Sequence, residues 1–262
     1  MSAAFNNLGD PEGRAADILR RAKRVAVLTG AGVSADSGVP TFRASDGLWE
    51  GHRIKDVATP SGFARDPELV WEFYNQRRVN VASVTPNSGH DALAALERHY
   101  GDGFTLATQN VDGLHQVAGS KRVLELHGCL RQTRCLGCEA VEERGLEHLG
   151  PRPLCPACGG RLRPNIVWFR ETLPEAVIDA AARAAATCEA FLVVGTSAVV
   201  FPAAGLIPVA RANGARVIEF NLTRTDASGY ADVGLYGRSG ETLPRVLRRL
   251  LGSAAGDLSP KR

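Results

Sequence analysis

The run RVAVLTGAGVSAD occupies residues 24–36, and its two halves ask for different backbones. Residues 24–29 form a short apolar stretch rich in β-branched side chains, which predicts a strand buried on both faces. Gly30-Ala31-Gly32 follow at once. A glycine turn between a strand end and a helix start is a place where backbone N–H groups can cradle a phosphate. Gly30-x-Gly32-x-x-Ala35 meets the loose dinucleotide-binding pattern. It departs from the ordinary dehydrogenase form, because Pro40 cuts the helix short, no second strand follows and no acidic residue ends one.

Outward from this run the chain alternates between the two periodicities. Helices are predicted over residues 15–22, 67–81 and 88–99, and strands over 104–108 and near 123–126, with the polar segment 109–113 between the strands. Residues 39–60 contain Pro40, Gly47, Gly51 and Pro60 and read as a long loop. A cysteine-bearing segment, about 128–163, looks like an insertion before a strand at 165–169. The last third is a βαβ unit: strand 191–194, loop 195–197, helix 202–213 and strand 215–220, closed by Asn221. The pattern defines an α/β fold with a parallel sheet. Asn221 and the loop at Gly195 close neighbouring strands, where an amide can bond ribose hydroxyls as a carboxylate would. The tail 252–262 is small and polar and is expected to be disordered.

The bulk numbers exclude several classes. The chain has 262 residues, 44% of them hydrophobic and 23% charged, as expected of one large globular domain or a large and a small one. Lys and Arg exceed Asp and Glu by 31 to 28, too small a surplus to favour nucleic acid as partner. The first residues contain no apolar run of signal length, so a cytoplasmic location is expected. Residues 191–210 carry no charge over a length that spans a bilayer. Pro202, Pro208 and Gly195-Thr196-Ser197 interrupt them, so a strand, loop and helix are expected rather than a membrane span. A monomer is expected.

Four of the six cysteines form two C-x-x-C pairs, Cys135/Cys138 and Cys155/Cys158, separated by sixteen residues. That spacing fits a four-cysteine zinc ribbon, and four thiolates close the coordination shell, so the metal is expected to be structural. Between residues 128 and 163 six arginines are interspersed with Glu139, Glu142, Glu143 and Glu147, without stacking aromatics. This is unlike a nucleic-acid-binding ribbon. Cys129 and Cys188 read as small apolar residues.

Several longer segments are similar to the signatures of one family. Residues 30–43 (GAGVSADSGVPTFR), 108–115 (TQNVDGLH), 125–128 (ELHG), the cysteine pairs and Gly195-Thr196-Ser197 resemble, in order, those of the sirtuins. The resemblance implies a Rossmann-type large domain (1–38, 86–127 and 164–251) and a smaller zinc-ribbon-containing domain (39–85 and 128–163), with NAD and an acylated lysine meeting between them. By position, Gly30, Ala31, Gly32, Asp36, Thr41, Phe42 and Arg43 would hold the pyrophosphate and cover the nicotinamide side. Gln109, Asn110 and Asp112 would serve the nicotinamide ribose and carboxamide. Gly195, Thr196, Ser197, Asn221 and Ser239 would line the adenosine half, and His127 would be the general base. Departure of nicotinamide leaves positive charge that the substrate's own acyl oxygen captures, so the protein need supply only an imidazole to take a ribose hydroxyl proton. His90 and His115 keep a structural reading.

The helix segment WEFYNQRR, residues 71–78, puts Tyr74 on a face shared with Arg77 or Arg78. It resembles the Tyr-x-x-Arg signature of the sirtuin class that removes succinyl, malonyl or glutaryl groups, which selects Arg77. Ala58 matches the small residue that leaves room for the longer chain, and Val167 and Phe169 match residues that pair with the substrate backbone. A guanidinium fork suits a carboxylate and a tyrosine hydroxyl adds a bond. Two positions depart from the family: Asp36 replaces Glu and shortens the reach, and Arg170 replaces Gly. A positive φ or close approach at residue 170 is expected to be lost, and peptide affinity is the property on which this bears. The alternatives are plain deacetylation, ADP-ribosyl transfer and a nucleotide-sensing zinc module without activity.

Overall fold

The computed structural model describes residues 9–41, 48–49 and 51–252; Phe42, Arg43 and the tail from residue 253 onward lie outside the described residues. Six parallel strands form the main sheet, in the order Val233–Tyr236, Arg216–Asn221, Ala190–Val194, Val25–Thr29, Phe104–Thr108, Val123–Glu125. The order reverses between Ala190–Val194 and Val25–Thr29, so the strand ends there open a crevice. Thr29 is level with Thr108 on one side and Val194 on the other. The loops beginning at Gly30, Gln109 and Gly195 therefore emerge side by side.

Val25–Thr29 and Ala190–Val194 are buried at every residue, as strands covered on both faces require. Alternate residues feed different cores. Val25, Val27, Leu192 and Val194 pack with helices Pro11–Arg21, Ser88–Tyr100 and Ser239–Leu251. Ala26, Leu28, Phe191 and Val193 pack with Glu175–Thr187 and Leu206–Ala212. A third cluster lies apart, built from Phe63, Trp71, Tyr74, Leu130, Leu162, Ile166 and Trp168 among others. It joins helix Pro67–Ala82 to an antiparallel sheet in the order Val141–Glu143, Gly128–Cys135, Leu162–Ile166.

Several expected boundaries change. The described part of the 39–60 loop contains a short hairpin, Leu48–Trp49 with His52–Arg53, and the helical turn Ile54–Val57. Helix Pro60–Arg65 follows at once, with Thr59 Oγ1 accepting from the Gly62 N–H at 3.0 Å and Pro60 at the first position, a cap signature the sequence carries. The strand expected at 165–169 is Leu162–Ile166. Leu162, Pro164 and Ile166 are its buried side, and the chain then turns, Glu171 N–H donating to Trp168 O at 3.0 Å. The helix expected over 202–213 begins as a 3-10 turn, Ala203–Gly205, and is α-helical only over Leu206–Ala212. Among the described residues no helix is long and apolar enough to cross a membrane.

Candidate active site and metal centre

The glycine loop is locked to the loop across the crevice. Gly30 N–H donates to Val194 O at 3.0 Å and Gly32 N–H to Gly195 O at 2.7 Å. A Cβ on Gly30 would stand 2.7 Å from Thr196 Cβ, one on Gly32 2.8 Å from Gly195 Cα, and one on Gly195, at φ +59°, would overlap Val33 N. These glycines are thus required first for the approach of two loops, not only for an approach of backbone to phosphate as the sequence reading has it. Thr196 is the junction: its Oγ1 accepts from Gln109 Nε2 at 2.9 Å and its carbonyl from Asn221 Nδ2 at 2.7 Å. Ser239, buried at the start of helix Ser239–Leu251, has an Oγ without a hydrogen-bond partner. That helix start lies against Gly89 and Asp36, and an unsatisfied buried hydroxyl there is a donor that a bound nucleotide can engage. Asp36 reaches Arg238 at 3.5 Å beside that helix start. Ala31 and Thr41 are half-buried and Ser197 is exposed.

His127 stands at the end of the Val123–Glu125 segment. Gly128 has φ +82°, and a Cβ there would overlap Asn165 O, so only glycine permits the turn that aims the imidazole. His127 Nδ1 lies 3.0 Å from Gln109 O. A carbonyl can only accept, which places the hydrogen on Nδ1 and leaves the Nε2 lone pair available as a base. Burial pulls its pKa below the ordinary 6.5, partly offset by the Gln109 carbonyl, so the ring is neutral at pH 7.

Asn110 and Asp112 are brought together by Ser34, which the sequence reading did not single out although it stands inside the quoted motif. Ser34 Oγ donates to Asp112 Oδ2 at 2.8 Å and accepts from Asn110 Nδ2 at 3.1 Å. Asp112 Oδ1 accepts from the Leu114 N–H at 2.9 Å, and burial raises its pKa against these bonds. His90 Nε2 is 3.2 Å from Ser34 Oγ, its ring 4.9 Å from that of His115, and His115 Nε2 is 3.0 Å from Thr29 Oγ1. Burial lowers the His90 pKa to about 4 and His115 well below its ordinary value, so both rings are neutral at pH 7.

On the other side, Val167 N–H donates to His127 O at 2.9 Å and Phe169 N–H to Ala58 O at 3.0 Å. This short segment therefore ties the candidate base to the small residue. Tyr74 is fully buried, and Arg77 nearly so, with Nη1 donating to Phe73 O at 2.9 Å and its guanidinium 3.3 Å over the Phe73 ring. Arg78 is committed elsewhere, donating to the carbonyls of Glu147 at 2.8 Å, Gly145 at 2.7 Å, Arg144 at 3.2 Å and also Leu130. Trp168 was not singled out from the sequence; its Nε1–H donates to Tyr74 Oη at 2.9 Å. Arg170 corrects an expectation, since it keeps φ +75° where a side chain was expected to abolish it. The turn closed by Glu171 imposes that angle on a residue that bears its cost, of order 1 kcal/mol.

The four sulfurs of Cys135, Cys138, Cys155 and Cys158 lie within 4.8 Å of one another. Cys135–Cys158 and Cys138–Cys155 are 3.5 and 3.8 Å apart, matching the edge of roughly 3.8 Å in a tetrahedron of Zn–S bonds. The N–H groups of Cys138 and Gly137 donate to Cys135 Sγ at 3.4 and 3.2 Å and pull its thiol pKa down to about 6. The cluster fits one structural zinc ion.

A doubly wound parallel sheet whose reversal point gathers a glycine loop, with an antiparallel zinc ribbon beside it, defines the class of this protein. Residues 30–202 match the model of the Sir2 family, and the chain belongs to that family. It is 46% identical over 237 residues to NAD-dependent protein deacylase 2 of Pyrobaculum aerophilum, covering 90% of this chain and 94% of the relative. It is 49% identical over 220 residues to the NAD-dependent protein deacylase of Thermus thermophilus, covering 83% and 86%. Among solved structures it is similar to a Sir2 homologue in complex with NAD, at 43% identity and TM-score 0.85 over 90% of this chain and 93% of the other.

Proposed function

We propose that this chain is an NAD-dependent protein-lysine deacylase that prefers acidic acyl groups, releasing nicotinamide, O-acyl-ADP-ribose and free lysine. The NAD dependence and the deacylase activity rest on the family and on relatives that carry that name at 46–49% identity. Bound NAD supplies the electrophilic ribose carbon and the nicotinamide leaving group. In this reading Gly30–Gly32, Asp36 and Ser239 hold the phosphates and adenosine together with Gly195, Thr196, Ser197 and Asn221, while Asn110 and Asp112 orient the nicotinamide half. His127 Nε2 receives the ribose hydroxyl proton, because its Nδ1 hydrogen is already spent on Gln109 O. The lysine lies along Val167–Phe169; a related Sir2 protein, 35% identical with TM-score 0.75 over 92% of this chain, was solved with a myristoylated histone peptide. What carries the acidic-acyl preference is the burial of Tyr74 and Arg77 together beside Ala58, a phenol and a guanidinium being the donors a carboxylate recruits. The experiment is kcat/KM on matched acetyl-, succinyl- and myristoyl-lysine peptides. Arg77→Met is expected to cut desuccinylation at least tenfold more than deacetylation; equal losses would refute the acidic pocket and leave plain deacylation standing.

A further inference from the structure

Trp168 is gripped from three sides. Its indole is 3% exposed and packs 5.2 Å from Phe63 and 6.4 Å from Tyr74, centroid to centroid. The Arg163 guanidinium lies 3.6 Å over its face. Arg163 in turn holds Glu171 with two bonds of 2.6 and 2.9 Å, and Glu171 Oε2 accepts from the Trp168 backbone N–H at 2.8 Å. The neighbours in sequence are fixed as well, Val167 to His127 O and Phe169 to Ala58 O. An indole so held has one orientation available to its edge.

That edge ends on Tyr74. An indole nitrogen only donates, so in the 2.9 Å bond between Trp168 Nε1 and Tyr74 Oη the phenol oxygen must accept. The phenol's own hydrogen is then turned away from Trp168, and among the described residues no acceptor takes it, although Tyr74 is fully buried. A buried donor in that state is a costly arrangement unless a ligand completes it. Burial also raises the phenol pKa, against the Trp168 bond and the nearby Arg77 and Arg163, so the hydrogen is present at neutral pH.

We propose that Trp168 is a positioning residue for acyl selectivity, occupying a lone pair of Tyr74 so that the phenol hydrogen is presented, with Arg77, to the distal carboxylate of an acyl-lysine. The inference rests on the acidic-acyl reading above. A neutral acetyl group has no distal carboxylate to accept that hydrogen, so the effect is selective for acidic acyl groups. Without the indole donor the phenol can rotate, and its hydrogen is no longer directed.

The measurement is the ratio of desuccinylation to deacetylation kcat/KM in the full-length, zinc-loaded protein. Trp168→Phe keeps the ring packing and removes the donor; the ratio is expected to fall roughly tenfold, the size of one hydrogen bond to a charged group. In a Tyr74→Phe background the same change should leave the ratio where Tyr74→Phe alone puts it, since Trp168 acts through that hydroxyl. A ratio unmoved by Trp168→Phe, or moved equally with and without the Tyr74 hydroxyl, overturns the proposal. If Trp168→Phe does not fold, as judged by zinc content and thermal unfolding, Trp168→Met, also without a donor, takes its place. Arg77→Met run in parallel separates the failures: a ratio that falls there but not in the Trp168 variant sinks only this inference, whereas a ratio unmoved in both sinks the acidic pocket itself.

Discussion

His127 shows how little a single side chain needs once its surroundings are set. One carbonyl, Gln109 O at 3.0 Å, selects the tautomer, and one glycine, Gly128, allows the turn that aims it. Its pKa lies below 6.5 because burial disfavours the charged ring. As the proposed base, His127 works only when deprotonated, so activity is expected to be lost as pH falls through that lowered value and to be complete above it. The acid limb of a kcat/KM profile is therefore expected below pH 6.5, and a limb centred above it would contradict the burial argument. His127→Ala should reduce deacylation by about 10²- to 10⁴-fold, while binding of ADP-ribose, followed by calorimetry, stays intact. Arg170 makes a further point at this scale: a residue type disfavoured at φ +75° is nonetheless held there, because the turn between Trp168 and Glu171 decides the angle.

Helix Pro67–Ala82 and the ribbon work as a pair. Arg78 reaches from the helix to four carbonyls of the ribbon segment, and Trp71 Nε1–H donates to Leu162 O at 3.1 Å. Asn75 Nδ2 adds a bond to Gly150 O at 2.9 Å. The ribbon strand Leu162–Ile166 then leads into Val167, which is bonded to His127 O. Removing the metal should for this reason reach the chemistry although no zinc ligand touches it. Chelation, or Cys138→Ser, is expected to lower the metal content below one zinc per chain and to depress both the unfolding temperature and deacylation. Full activity in metal-free protein would show that helix and ribbon stay together without it.

The molecule as a whole is a sheet with a crevice at its reversal point, and a ligand spanning that crevice ties its two halves together. Gly30 and Gly32 come from the first strand loop and Gly195, Thr196 and Asn221 from the last third of the chain. A dinucleotide bound to both binds the folded state alone. At a hundredfold excess over Kd it should add about 2.7 kcal/mol, which for a chain of this size raises the unfolding temperature by about 5–10 °C. Differential scanning fluorimetry with NAD and with ADP-ribose reads this directly, and no shift with either would argue against the assigned cleft.

What the amino-acid order settled by itself is local: the buried strand at residues 24–29, the glycine turn after it, the helix around Tyr74 and the two cysteine pairs. Hydrophobic periodicity, backbone freedom at glycine and thiol spacing act over a few residues, so they can be read without the fold. Strand order, the meeting of Gly30 with Thr196, the engagement of Arg78 by four carbonyls and the bond from Trp168 to Tyr74 were decided only by tertiary structure. Tyr74 and Trp168 stand 94 residues apart, and no local propensity encodes which distant donor will find a given lone pair. Burial makes that partner obligatory, and only packing says which it is.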